Sequence, residues 1–361
     1  MYLRSIATAT PPARYTKAEC LAAFERSAWL ARLDARSHFI ARTVLQRDNG
    51  IEARRLALDS LDEVFAIDPD TLARRYATHA PALAAQAAAR ALERAGLAPG
   101  AVDGVVVSTC TGYLCPGLSG HVVERLGLRP DVQAYDLVGQ GCAAAVPNLQ
   151  LGRALVDAGS CDHVLSICVE VSSAAMYLDD YPGVLISACL FGDGAGAAVL
   201  AREPATAPEA GMNGSAPRRI AWRDAASYIE PREREALMFE ERGGMLRNIL
   251  TRRVPVLAAE HAHRMLDTVL GRHGLEPDDV GAWILHAGGR DVLQAVARRF
   301  ERDPDDFRYS AAMLREYGNL SSAFVYFVLE AALEDGAPRG WWWLSAFGAG
   351  FSCHGALLEV D

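Results

Sequence analysis

Short runs of consecutive apolar residues recur along the chain, separated by stretches in which apolar residues repeat at helical spacing. Four such runs are GVVVS (104–108), HVLSICVEV (163–171), GAGAAVL (194–200) and AWILHA (282–287). Runs of this length without polar alternation are typical of strands buried on both faces. Residues 16–33 instead have the pattern of an amphipathic helix, with Thr16 as its N-cap. The pattern predicts an α/β fold whose helices cover sheets of largely parallel strands.

An internal repeat relates the two parts of the chain. LERAGLAPGAVDGVVVSTC (92–110) and LGRHGLEPDDVGAWILHAG (270–288) each combine a helix end, a Gly-Leu-x-Pro turn and an apolar strand. The same register holds over roughly 70 positions, which favours duplication over a chance match. It places Gly141, the neighbour of Cys142, opposite Asn319. Two equivalent helix starts are therefore expected at these positions.

A segment rich in Pro, Ala and Gly, residues 202–219, separates two strand-like runs and is typical of a linker. We therefore expect an N-terminal half of residues 1–205 and a C-terminal half of residues 206–361. Because both halves combine apolar strands with amphipathic helices, we expect two similar α/β units that pack face to face.

Composition and charge narrow the class of protein. The 361 residues are 51% hydrophobic, which allows a large core, and the net charge of −9 argues against a nucleic-acid partner. The chain contains no run of about 18 apolar residues, so we expect no membrane-spanning helix. The segment MYLRSIATATPPARYTKAE has no signal-peptide pattern, so we expect a cytoplasmic protein. The eight cysteines show no zinc-like spacing, and we expect free thiols and no bound metal.

Three polar residues lie at the ends of predicted apolar elements. Cys142 follows the turn GQG and begins the helix AAAVPNLQLGRALVDA, where the helix dipole and unpaired amides favour a thiolate. His286 ends the strand AWILHA, and Asn319 lies at the helix start that the repeat equates with the one after Cys142. If a pseudo-twofold axis relates the halves, the three side chains converge. Together they supply a nucleophile, a proton-transfer partner and an amide donor.

Each of these residues also has a simpler interpretation. A buried free cysteine commonly behaves as a small hydrophobic residue, and asparagine is among the best helix caps. A core histidine is satisfied by one backbone hydrogen bond. These interpretations leave unexplained why all three residues lie at equivalent ends.

Five segments resemble the signatures of type III polyketide synthases, the chalcone synthase-like enzymes. They are GQGCAAAVPNLQ, LFGDGAGAAVL, WILHAGGRDVL, REYGNLSSAF and SAFGAGF. The resemblance implies a thiolase fold with two pseudo-duplicated α/β halves in a five-layered α-β-α-β-α arrangement, and a homodimer. It also implies acyl-CoA substrates, no permanently bound cofactor, and a catalytic triad of Cys142, His286 and Asn319.

The resemblance further implies a reaction. A starter acyl group is loaded from acyl-CoA onto Cys142, and His286 and Asn319 stabilise the enolate that malonyl-CoA forms when it loses CO2. The enolate then extends the chain, which is released as a cyclised pyrone or resorcinol. An aliphatic starter is favoured for a bacterial-looking chain of this kind.

Other residues acquire roles only through the resemblance. Phe191 matches a pocket phenylalanine, Cys110 a residue lining the starter cavity, and Cys115 a residue that crosses into the partner's cavity. Asn248 falls near a gatekeeper phenylalanine of plant members, and Ala349 replaces the usual proline of the loop AFGAG. Both departures bear on cavity shape rather than on the triad.

Basic residues for the CoA phosphates are expected in LQRDNGIEARR, where Arg47, Arg54 and Arg55 are the candidates. A solvated basic face explains the same residues equally well.

The same segments can be compared with the motifs of other classes of protein. A ketoacyl synthase III-type enzyme usually has His-Gln-Ala-Asn around its histidine, whereas this chain has HAGG. A catalytically silent thiolase-fold subunit is expected to lack the cysteine, and a papain-like hydrolase does not suit the repeat. An enzyme that joins two acyl chains without iteration stays open, because the AFGAG loop departs from the family pattern.

Overall fold

A computed structural model describes residues 1–204 and 218–361. The helices of this part of the chain are α1 (Lys17–Arg26), α2 (Ala35–Gln46), α3 (Pro69–Ala95), α4 (Leu118–Leu126), α5 (Ala145–Asp157), α6 (Pro182–Leu190), α7 (Val254–His273), α8 (Arg290–Phe300), α9 (Arg308–Tyr317) and α10 (Phe324–Glu334). Its strands are β1 (Tyr2–Ala9), β2 (Arg14–Thr16), β3 (Ala53–Arg55), β4 (Gly104–Ser108), β5 (Gln133–Leu137), β6 (His163–Val171), β7 (Asp193–Ala201), β8 (Ile220–Ile229), β9 (Leu237–Arg242), β10 (Met245–Leu250), β11 (Val280–Leu285), β12 (Gly340–Gly348) and β13 (Ser352–Val360).

Nine strands of the described residues form one sheet in the order β11-β12-β13-β8-β1-β7-β6-β4-β5, and β2–β3 and β9–β10 form two separate antiparallel pairs. The order is nearly symmetric about the β1–β8 junction, where Tyr2 pairs with Ala221 and Leu3 with Ile220. On each side of the junction the strands follow one another in the same way, β1-β7-β6-β4 matching β8-β13-β12-β11. The sheet therefore shows the duplication that the sequence repeat predicts.

The prediction of largely parallel sheets is wrong. Parallel pairing joins β4 to β5 and β6, and joins β11 to β12. The pairs β6–β7, β1–β7, β8–β13 and β12–β13 are antiparallel. A continuous apolar run reports that both faces of a strand are covered, and antiparallel strands between helix layers meet that condition equally well.

The helices form three layers around the two parts of the sheet. α3 packs on β1, β6 and β7 from one outer side, and α7 packs on β8, β12 and β13 from the other. α5 and α10 lie between them, and each contacts strands from both parts of the sheet. This is the five-layered arrangement of a thiolase fold, with α5 and α10 in the central layer.

Matching helix ends show how closely the two units correspond. α3 ends at Gly96 with φ 64°, and α7 ends at Gly274 with φ 64°. In this left-handed conformation glycine avoids the strain that a Cβ would cause. A short 3-10 turn beginning with Pro99 or Pro277 then leads into β4 or β11. Local turn chemistry thus encodes the same helix-to-strand connection twice.

The expected boundary between residues 205 and 206 lies outside the described residues, as does most of the expected linker. Within the described residues, no helix is long and apolar enough to cross a membrane.

Candidate active site

Cys142 lies in a 3-10 turn, Gly141–Ala143, that leads directly into α5. A loop from the other unit packs against this turn: a Cβ at Gly348 would come within 2.6 Å of the Ala143 nitrogen. Ala349 approaches Gly141 in the same way, so the departure from the family's loop lies beside the candidate nucleophile. This close backbone approach fixes the position of the cysteine between the two units.

Asn319 follows α9 and is held at both its backbone and its side chain. Its N–H donates to the Leu190 carbonyl at 2.9 Å, and its carbonyl accepts from the Gly192 N–H at 3.0 Å. Its Nδ2 donates to the Gly288 carbonyl at 3.0 Å, next to the end of β11. Its Oδ1 accepts from the Ser321 N–H at 2.8 Å. The side-chain amide is therefore oriented before any ligand binds.

His286 immediately follows β11 and is 3% exposed. Its backbone N–H donates to the Ser345 carbonyl, and its ring packs edge-on against Phe324 and beside Phe347. Neither ring nitrogen has a hydrogen-bond partner among the described residues. Because buried polar groups are usually hydrogen-bonded, both ring positions are available to a ligand or to the thiol.

The protonation states differ from the sequence prediction. Burial raises the pKa of the Cys142 thiol to about 12, and a hydrogen bond from Ser321 opposes this effect only in part. Burial also lowers the pKa of His286 to about 3. A lowered thiol pKa was expected from the helix start, but removing the group from water has the larger effect. In this state the cysteine and histidine are both neutral.

A channel of about 550 Å³, measured as the space open to the centres of water molecules, contains the three candidate residues. Cys142, His286 and Asn319 are buried along it, whereas Arg47 and Arg252 are exposed. The channel thus runs from exposed arginines to the cysteine. Arg290 also lines it and pairs with Asp48 at 2.9 Å.

The other two arginines of the predicted CoA set lie elsewhere. Arg54 is 6% exposed and donates to the carbonyls of Ala188 and Phe191. Arg55 donates to the Pro12 carbonyl and pairs with Glu316. These contacts use both guanidinium groups within the protein, so Arg47 alone of the three lines the channel.

A smaller space, here called the side cavity, adjoins the channel and leaves about 40 Å³ for the centres of water molecules. Phe191 and Asn248 line both spaces, and Cys110 lines the side cavity. Phe239 also lines both spaces and pairs with Asn248 across the β9–β10 hairpin. Cys115 is exposed on this chain and does not line either space among the described residues.

Ser321 and Glu170 belong to the site but were not predicted from the sequence. The Ser321 hydroxyl lies 3.1 Å from the sulfur of Cys142 and 3.1 Å from that of Cys110. Glu170 is fully buried and accepts hydrogen bonds from the Cys110 N–H, the Thr111 hydroxyl and the Ser322 hydroxyl. A glutamate inside the apolar run HVLSICVEV is a usable sequence signal, because a buried carboxyl group requires such partners. Ser321 lies in the segment REYGNLSSAF, but no pattern in that segment indicates that its hydroxyl contacts Cys142.

Comparisons with known proteins agree on one family. Residues 11–219 match the family model described as FAE1/type III polyketide synthase-like protein, and residues 228–360 match chalcone and stilbene synthases, C-terminal domain. The 1,3,6,8-tetrahydroxynaphthalene synthase of Streptomyces peucetius subsp. caesius is 30% identical over 98% of this chain and 92% of its own. The 3,5-dihydroxyphenylacetyl-CoA synthase of Streptomyces toyocaensis is 28% identical over 98% of this chain and 88% of its own.

Solved structures show the same fold. The crystal structure of 1,3,6,8-tetrahydroxynaphthalene synthase from Streptomyces coelicolor A3(2) superposes with a TM-score of 0.85 at 24% identity, covering 99% of both chains. PKS-I from the brown alga Ectocarpus siliculosus gives a TM-score of 0.89 at 24% identity, covering 99% of this chain and 98% of its own.

A thiolase fold whose channel leads to a buried cysteine, histidine and asparagine defines a condensing enzyme of the acyltransferase class. The two family matches together span almost the whole chain. The chain belongs to the type III polyketide synthase family.

Proposed function

We propose that the enzyme loads an acyl group from a CoA thioester onto Cys142 and extends it with malonyl-CoA, using no permanently bound cofactor. The observation that carries this proposal is the channel itself, which leads from exposed arginines to Cys142, His286 and Asn319. Loading begins when the Cys142 sulfur attacks the thioester carbonyl and its proton passes to His286. The bond to the CoA sulfur breaks, and the CoA thiolate takes that proton as it leaves.

In the free enzyme the Cys142 thiol and the His286 imidazole are both neutral, which suits a mechanism in which the proton moves only as the sulfur attacks. Burial penalises the thiolate and the imidazolium separately, and opposite charges that form together in one pocket offset part of each penalty. His286 has no competing hydrogen-bond partner among the described residues, so its ring is available to accept the proton. The thiolate and the imidazolium are therefore expected to form only as the proton moves from Cys142 to His286.

Extension needs a group that stabilises an enolate without protonating it. When malonyl-CoA loses CO2, the electrons of the broken C–C bond form an enolate whose negative oxygen requires donors. The Asn319 amide donates without titrating, and its Oδ1 is tied to Ser321, which directs its NH2 group toward the end of β11. His286 supplies a second donor. The enolate carbon then attacks the Cys142 thioester, and the chain moves to the incoming CoA.

Arg47, Arg252 and Arg290 are the proposed contacts of the CoA phosphates. All three line the channel, and Arg47 and Arg252 form no salt bridge within the described residues. One guanidinium group can donate hydrogen bonds to two phosphate oxygens at once, which suits the diphosphate and the 3′-phosphate of CoA. This set replaces Arg54 and Arg55 of the sequence prediction.

A homodimer is proposed from exposed apolar side chains in the segments around Cys115 and just before Cys142. Tyr113 is 79% exposed and Val138 is 60% exposed, and the exposed Cys115 lies close to Tyr113 in the chain. Exposed large apolar residues are typical of a protein interface. Light scattering at micromolar concentration tests the assembly, and a monomer would contradict it.

The proposed product is a cyclised pyrone or resorcinol-type compound. The names of both relatives describe aromatic rings with several hydroxyl groups, which supports a phenolic product here. The starter and the number of extensions are tested by incubating the enzyme with malonyl-CoA and short, long and aromatic acyl-CoAs, followed by mass spectrometry.

The same assay, run with Cys142→Ala, tests the mechanism. No acyl adduct and no product are expected from this variant, and an adduct that persists would place the nucleophile elsewhere. A product that joins two acyl groups without further malonyl units would support a non-iterating condensing enzyme instead.

A further inference from the structure

Asn248 holds a fixed orientation at the wall between the channel and the side cavity. The Ser187 hydroxyl donates to the Gly183 carbonyl at 2.7 Å, so its hydrogen is already used within α6. Asn248 lies 2.7 Å from the same hydroxyl oxygen and must therefore donate to it through Nδ2. Nδ2 is therefore the amide atom that faces Ser187, and Oδ1 is the amide atom that forms no bond to it.

The Oδ1 of Asn248 has no hydrogen-bond partner among the described residues, although the side chain is only 5% exposed. Asn248 faces both the channel and the side cavity. A carbonyl oxygen accepts hydrogen bonds and cannot donate them. The group that satisfies it must therefore bring a hydrogen of its own.

Two further polar atoms of the side cavity are unpaired in the same way. The Ser172 hydroxyl and the Tyr177 hydroxyl have no partner among the described residues, and their side chains are 4% and 5% exposed. Burial raises the pKa of Tyr177 to about 12, so this phenol keeps its proton and donates. The residues that line the side cavity thus include one obligate acceptor and two unpaired hydroxyls, although Tyr177 also lines a second apolar cavity.

We propose that Asn248 and the hydroxyls of the side cavity select the enol form of a β-polyketone chain that is carried on Cys142 and lies in the channel. The Asn248 Oδ1 accepts a hydrogen bond from an enol hydroxyl, and the hydroxyls of Ser172 and Tyr177 donate to ketone oxygens of the same chain. A polyketone carries an oxygen on every second carbon and supplies both kinds of partner. An alkyl chain would leave all three atoms unpaired, which is costly in a buried cavity.

This proposal rests on the proposed function and adds a role for Asn248 as a residue that determines specificity. Asn248 binds the enol but moves no proton. Lactone formation uses the enol oxygen as its nucleophile, and a hydrogen bond that holds this hydroxyl on Asn248 keeps the oxygen away from the Cys142 thioester. Ring closure through the enol carbon is then favoured. Chains that leave the cavity early close through oxygen and are released as lactones.

The test compares wild type with three variants, using malonyl-CoA alone and malonyl-CoA with hexanoyl-CoA. Asn248→Leu keeps the side-chain size but removes the acceptor, and we expect a three- to tenfold fall in the ratio of carbocyclic phenols to lactones. Asn248→Asp keeps an acceptor oxygen, and we expect it to restore most of the ratio. Ser187→Ala releases the amide, which can then turn, and we expect an intermediate ratio.

Acyl loading of Cys142 is measured on the same samples by mass spectrometry. Wild-type enzyme that neither loads nor extends a chain would refute the proposed function. Wild-type enzyme that extends chains, with the same product ratio in Asn248→Leu or in Ser187→Ala, would overturn the present inference and leave the side cavity as a water site. If Asn248→Leu does not fold, the Ser187→Ala result decides alone.

Discussion

The hydroxyl of Ser321 lies 3.1 Å from the sulfur of Cys142, and this contact joins the two duplicated units at the reactive atom. Ser321 has a φ of 51°, a left-handed conformation that is uncommon for a residue with a Cβ. The hydrogen bond from its N–H to the Asn319 Oδ1 holds it there. Asn319 thus orients the hydroxyl that contacts the nucleophile, in addition to its own proposed role as a donor.

Replacing Ser321 with alanine is expected to make Cys142 less reactive. The hydroxyl donates to the sulfur and lowers the thiol pKa against the effect of burial, so its loss raises that pKa further. At a fixed neutral pH less thiolate forms, and alkylation by iodoacetamide should slow about three- to tenfold. The measurement uses a background in which Cys110 and the exposed Cys115 are alanine, and mass spectrometry of the digested peptides counts only label on Cys142. An unchanged rate would show that the contact does not affect the thiol.

Replacing Asn319 with alanine is expected to impair decarboxylation more than loading. Loss of one oxyanion donor commonly costs about 100- to 1,000-fold in rate. Loading depends chiefly on Cys142 and His286, so release of 14CO2 from labelled malonyl-CoA should fall further than formation of the acyl adduct. The opposite order would contradict the enolate role of Asn319.

Replacing Met176 with alanine is expected to lengthen the acyl groups that the enzyme accepts. Met176 and Tyr177 line both the side cavity and a second apolar cavity that Leu45 and Phe24 help to form. Shortening this side chain joins the two spaces and should destabilise the fold by about 2–5 kcal/mol. The measurement is the relative turnover of hexanoyl-CoA and dodecanoyl-CoA.

Leu58→Ala is the matched control for this variant. Leu58 packs in the same apolar cluster as Met176 but lines neither cavity. It should lose comparable stability and keep the wild-type chain-length preference. Equal shifts in both variants would attribute the effect to general loosening.

His354 is expected to make the fold sensitive to acid. It is 3% exposed, and burial lowers its pKa to about 4. As the pH falls below 6.5, the unfolded chain binds a proton at this residue and the folded chain does not. Stability is therefore lost between pH 6.5 and 4, by about 3 kcal/mol for this residue.

The change His354→Asn isolates this contribution. Asparagine can keep a hydrogen bond to Ser227, which lies 2.8 Å from the histidine Nδ1, but it does not titrate. Urea unfolding at pH 7 and pH 4 should show a smaller loss of stability in the variant than in wild type. Equal losses would assign the acid sensitivity to other groups.

The sequence alone predicted the fold through patterns that are local. The Gly-Leu-x-Pro turns at Gly96 and Gly274 specify the same helix-to-strand connection twice, because glycine adopts the left-handed conformation without strain. Thr16 caps α1 with Glu19 in a reciprocal pair of hydrogen bonds, as its side chain predicts. Strand direction was not predictable from apolar runs, since these report burial and carry no information about pairing partners.

At the site, the sequence by itself determined which residue types stand at equivalent helix starts, and the duplication therefore indicated that Cys142 and Asn319 share a pocket. Tertiary structure alone decided how those groups behave. It placed the Ser321 hydroxyl rather than an imidazole against the sulfur, and it buried the thiol deeply enough to reverse the expected direction of its pKa shift. Arg54 is buried in the core whereas Arg47 lines the channel, although the two residues lie in the same short segment. Burial, ionisation and ligand access depend on what surrounds a group in space, and most of those neighbours are distant in the chain.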